Sequence, residues 1–149
     1  LGFVLRPTSV PRNTYNYIKE SGYYTINHIH ESILKDAHHT SAKYDEHISE
    51  FDQTNLSTEY LDSFYAPYVK HCPVQIGMKF LEEMYISANN TRLILGEIEH
   101  LHISNTLLSE DGFIDLSKGH IATITGLDGY SVPKCTKRFP YQTPLNKTI

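Results

Sequence analysis

The sequence predicts an α+β fold in which short helices surround a small antiparallel β-barrel. Three observations point to it. Near the start, apolar β runs alternate with short helix-like stretches. In the middle, two long β runs are joined only by an Asn-rich link, which reads as an antiparallel hairpin. Tyrosine is abundant, with eleven copies and no Trp, and Tyr favours strands, ligand pockets and subunit interfaces.

Taken in order, residues 1–6 read as a strand. The strand begins without an initiator Met, a polar lead-in or a cap, so it is expected to be an interior strand whose predecessors are absent. It runs into a loop carrying Arg6, Thr8, Ser9 and Arg12. Pro11 sits where a first helical turn tolerates proline, residues 14–20 continue as a helix, and Gly22 ends it. A strand, a basic hydroxyl-rich loop and a helix start together suit an anion, because the helix offers unpaired N–H groups and the arginines offer charge. The same pattern also suits an ordinary capped helix with exposed arginines.

Residues 23–29 alternate as a strand, with Tyr24, Ile26 and His28 on one face and Tyr23, Thr25 and Asn27 on the other. Residues 31–39 form a short helix. Ser49 and Ser57, each followed by acidic residues, read as helix starts. Pro67 and Pro73 bracket residues 68–72. The hairpin runs over 75–87 and 91–104, with Asn89 and Asn90 as its turn. Apolar parity changes between Ile98 and Leu101, which predicts a bulge near Glu99 and His100. Gly77 and Gly96 mark bends or close strand approaches. A turn at 110–112 precedes residues 113–116, a short strand spans 120–125, and the tail from Lys134 is basic and packs on the surface.

The length of 149 residues fits one domain. A net charge of −4 argues against a nucleic-acid surface, and no apolar stretch reaches membrane-spanning length. Cys72 and Cys135 are isolated, which suits a reducing cytoplasm. His100 and His102 have a spacing that can chelate, as do His28 and His30, but neither pair has a third ligand at a recognisable spacing, so no metal is expected. No nucleophile–base set is marked by spacing, and no catalytic side chain is assigned.

Six blocks in order carry a family resemblance: LGFVLRPTSVPRNTYNYIKESGYYTIN, HHTSAKYDEHISEFD, APYVKHCPVQIGMKF, LILGEIEHLHI, EDGFIDL and ITGLDGY. The series resembles the flavin reductase-like family of FMN-binding split-barrel flavoproteins, and within it the flavoredoxin-type branch. The resemblance covers nearly all of residues 1–149 as one domain. It implies an antiparallel Greek-key split β-barrel with short peripheral helices, incomplete at its N-terminus, with part of the flavin pocket supplied by the missing segment.

The resemblance also implies a chemistry: hydride transfer from NAD(P)H to bound FMN, with the flavin carrying the reaction and the protein aligning the rings. Arg6, Thr8, Ser9, Arg12 and Thr14 then stand where the family holds the flavin phosphate. Thr40, Ser41 and Lys43 stand in a second polar loop at the cofactor, and Tyr130 follows a Gly-rich turn near the rings. The implied assembly is a cytoplasmic homodimer whose electrons pass to free flavin, an oxygenase component, a metal ion or a redox protein. Two alternatives are an FMN-binding electron carrier without a nicotinamide site and a truncated relative acting only as an interaction module.

Overall fold

The long hairpin organises the molecule. A computed structural model describes residues 1–7, 13–45 and 47–142. Strand β1 (Gly2–Leu5) leads to helix α1 (Asn13–Ser21) and strand β2 (Tyr23–His28). A 3-10 turn over Glu31–Ile33 runs into helix α2 (Leu34–His39). Short strands β3 (Thr58–Glu59) and β4 (Tyr68–Val69) precede the long strands β5 (Val74–Ile86) and β6 (Thr91–Ile103). The last pair is β7 (Thr123–Thr125) with β8 (Gly129–Ser131).

The main sheet has the order β1-β6-β5-β2, and all its pairings are antiparallel. With its two short helices it forms an antiparallel half-barrel of the split-barrel type. Gly22 ends α1 at φ 76°, and its N–H donates to the Ile18 carbonyl at 2.9 Å, so the chain turns directly into β2.

The expected bulge is present: Gly77 pairs with His100 and Met78 with Ile98, leaving Glu99 as the extra residue. A second irregularity leaves Leu81 unpaired on β5, between Phe80 and Glu82. The Glu99 bulge sorts the side chains. Val74, Ile76, Met78 and Ile103 belong to the core that includes Ile18 of α1 with Tyr24, Leu107 and Ile121. Gly77, Gln75, His100 and His102 alternate onto the opposite face, because successive strand residues point to opposite sides. There Phe64, Ala66 and Tyr68 form a second core, with Tyr23 and Leu61 packed against it.

The two faces expected for β2 are observed. Tyr24 and Ile26 enter the first core, while on the other face the Thr25 hydroxyl donates to the Pro67 carbonyl at 2.7 Å. Asn27 accepts from the Val69 N–H at 3.1 Å.

One expected element is corrected. Ser57 does not start a helix; Thr58 and Glu59 form β3 and pair with Val69 and Tyr68. The partner strand and Gln75, whose amide donates to the Glu59 carboxylate at 2.7 Å, outweigh the local cap signal. Ser49 does cap a helical turn, but a 3-10 one over Glu50–Gln53. In the described part of the basic tail, Arg138 lies 3.9 Å from the centroid of the Phe113 ring and bonds Asp111 at 2.6 Å, while Phe139 and Tyr141 stay exposed.

Candidate functional site

A cleft of about 910 Å³ opens along β2, the strand at one end of the main sheet. Helix α1 forms one wall through Thr14, Tyr17 and Ser21, and the 60–67 loop forms the other through Tyr60, Tyr65 and Pro67. Tyr23, Tyr24 and Thr25 line its floor.

Five of the eleven tyrosines therefore converge on one concavity, which gives the tyrosine count a structural reason. The Tyr23 and Tyr65 rings lie 6.1 Å apart, and Phe64 meets Tyr23 edge-on at 5.6 Å. Tyr60 and Tyr65 are exposed, so their rings are available to a ligand. The Tyr24 hydroxyl turns away from the cleft to lie over Gly96 in the first core, where it is buried without a hydrogen-bond partner and burial raises its pKa. A cleft whose aromatic rings are interspersed with the Thr14, Ser21 and Thr25 hydroxyls and the Glu20 carboxylate fits a flat heteroaromatic ligand that also carries polar groups.

The cleft also reaches Thr14, the last residue of the expected anion-binding stretch. Thr14 sits in the first turn of α1 and lines the cleft, so a ligand in it reaches the start of that helix. Arg6 is exposed just past β1, and it does not line the cleft. Thr8, Ser9 and Arg12 lie outside the described residues.

The second expected loop forms a separate cluster. Thr40 follows α2, and its hydroxyl donates to the Ala37 carbonyl at 2.7 Å, a capping role. Ser41 and Lys43 are exposed beside it. Tyr130 lies on β8, beyond a turn in which Gly126 adopts φ 69°, and its hydroxyl meets His38 Nδ1 at 2.8 Å. The structure thus brings Tyr130 to the end of α2, near Thr40 in sequence. None of Thr40, Ser41, Lys43 and Tyr130 lines the cleft.

A network fixes α1 on the far half of the hairpin. Glu83 on β5 accepts from the Tyr15 hydroxyl at 2.8 Å and from Arg92 Nη1 at 2.8 Å, with Lys19 Nζ at 3.4 Å. The Tyr15 bond, joined by the charges of Lys19 and Arg92, holds the Glu83 carboxyl below its ordinary pKa. Cys72 is no candidate nucleophile: burial first, then the Glu59 charge, pushes its thiol up to about 11. Sequence reasoning did not single out Tyr17, Tyr23, Tyr60 or Tyr65 as a cleft lining; the surplus of tyrosine was the only signal available.

Comparison with known proteins agrees with this architecture. Residues 2–117 match the model of the family described as flavin reductase like domain. The structure superposes with a TM-score of 0.90 on a candidate flavin reductase with split barrel domain from Shewanella frigidimarina, at 40% identity over 95% of this chain and 70% of that one. Flavoredoxin of Desulfovibrio vulgaris is similar at a TM-score of 0.76 and 20% identity, over 94% of this chain and 74% of the other. Nitrilotriacetate monooxygenase component B from Bacillus cereus gives 0.76 at 17% identity, over 94% and 70%. These last two likenesses speak to the fold alone. No curated protein matches the sequence. Among the described residues no helix is long and apolar enough to cross a membrane.

Proposed function

Because the chain belongs to the flavin reductase-like domain family, we propose that it is an FMN-dependent oxidoreductase that takes electrons from NAD(P)H. The observation that carries this reading is the tyrosine-lined cleft that meets the first turn of α1. Bound FMN would supply the redox chemistry, accepting electrons from a nicotinamide and releasing them to an acceptor.

The chain's own residues bind, orient and exclude water. Arg6, Thr8, Ser9, Arg12 and Thr14 hold the phosphate, since a dianion is best met by guanidinium forks, hydroxyls and helix N–H groups together. The tyrosine rings would stack against the flat ring system and cover part of it from bulk water. The lining fits this group: the exposed Tyr60 and Tyr65 rings can stack on a flat ring system, and the Thr14 hydroxyl stands at the first turn of α1. Thr40, Ser41, Lys43 and Tyr130 stand apart from the cleft, and only the family resemblance carries their proposed role as a second polar loop at the cofactor. No side chain is needed as acid or nucleophile in the electron transfer itself.

A homodimer is part of the proposal. Leu81, Met84 and Tyr85 on the far half of the hairpin are large apolar or aromatic residues left exposed, as a subunit interface would require.

The test is anaerobic. Protein reconstituted with FMN should lose its flavin absorbance band when NADH or NADPH is added and regain it with air. Bleaching by dithionite but by neither nicotinamide would replace the enzyme with an electron carrier. Failure to retain FMN would overturn the reading.

A further inference from the structure

We propose that Asp62, His100 and His102 bind a divalent transition-metal ion of the zinc class, tying the 60–67 loop to β6. One donor atom from each of the three lies within 4.8 Å of the other two. His102 Nε2 stands 3.8 Å from Asp62 Oδ2. In a tetrahedral site with bonds of about 2.0–2.2 Å, donors lie roughly 3.4 Å apart, so closure needs side-chain shifts of about 1 Å. Asp62 is exposed and free to make that shift.

Two independent pieces of backbone bring these groups together. The Glu99 bulge changes the parity of β6, so His100 and His102 leave the face of Ile98 and turn toward the 60–67 loop. Their rings are near parallel, at 16° and 6.1 Å between centroids. From the loop side, the Phe64 N–H donates to the Leu61 carbonyl at 2.9 Å, with Asp62 and Ser63 at φ 49° and 58°. That tight turn presents the Asp62 carboxylate to the imidazoles.

Both imidazoles are held by aromatic neighbours, and one ring nitrogen of His102 is left unsatisfied. Phe64 meets the His100 ring edge-on at 5.1 Å, and Tyr68 meets the His102 ring at 5.2 Å. Gly77, opposite His100 in the ladder, leaves room for this packing, since a Cβ there would fall 3.1 Å from His100 Cβ. His102 Nε2 is buried and has no hydrogen-bond partner. A buried nitrogen without a partner is costly, and a metal ion is one partner that relieves it. Two imidazoles with one carboxylate suit zinc and its neighbours rather than magnesium or calcium, which prefer all-oxygen sets. The exposure of Asp62 leaves a further coordination position open to solvent.

The site stands apart from the flavin reading, although the loop it would pin also carries Tyr60 and Tyr65 into the cleft wall. The test uses full-length, tag-free protein stripped with chelator and titrated with Co²⁺, followed by its visible ligand-field band, and with Zn²⁺ by calorimetry. The expected result is one ion per chain. Asp62→Asn and His102→Ala should each weaken binding about tenfold or more, and exposed His47→Ala should leave it unchanged. Asn tolerates the positive φ of Asp62, so that variant should keep its fold and its circular dichroism. Absence of saturable binding, or equal affinity in Asp62→Asn, would overturn the proposal.

Discussion

Glu83 shows how much one side chain can organise. It gathers Tyr15 and Lys19 from α1 and Arg92 from β6 around one carboxylate on β5. Its pKa is lowered in the folded state, first by the Tyr15 hydrogen bond. Its stabilisation is therefore complete above the ordinary glutamate value of 4.5 and is lost as pH falls through the folded value. Glu83→Gln should cost about 1 kcal/mol in urea unfolding at neutral pH, since the group is charged but partly exposed. At a pH below 4.5 the deficit should be smaller than at neutral pH, shrinking further toward acid. An equal deficit at both pH values would show that the carboxylate charge contributes nothing.

Among the elements, the long hairpin was the most legible in the sequence, because Ile76, Met78 and Phe80 alternate and two long β runs are joined only by a short Asn-rich link. The bulge at Glu99 was readable for the same reason: Ile98 and Leu101 cannot share a face without an extra residue between them. The region around Ser57 was misread, because a Ser followed by Glu carries a real cap signal and nothing local announces that Tyr68 and Val69 will pair with it. Gly96 was read as a close approach, and the structure supplies the reason. A Cβ there would collide with the Tyr24 hydroxyl and fall 3.0 Å from the Lys79 carbonyl oxygen. Gly96→Ala should therefore lower stability by about 1–3 kcal/mol, measured by denaturant midpoint. A neutral result would mean that β5 and β6 separate freely at that point.

At the scale of the whole molecule, the anion loop was visible in sequence because its residues are contiguous. The cleft was not, since it exists only where the 60–67 loop lands beside β2 and α1. The same holds for Asp62, which reaches His100 and His102 from a distant stretch of chain through a turn fixed by tertiary packing. Two histidines at chelating spacing were apparent, but the third donor was not. The phosphate loop is thus a contiguous motif, whereas the cleft arises only from the folded geometry.

The most direct test of the central claim joins the two. FMN is titrated into apo-protein and into Arg12→Ala, with flavin fluorescence as the readout. One FMN should bind per chain, and the variant should lose about 1.5–3 kcal/mol, the scale of a charge-assisted contact to phosphate. Equal affinity in the two proteins, or no binding by the parent chain, would contradict the account.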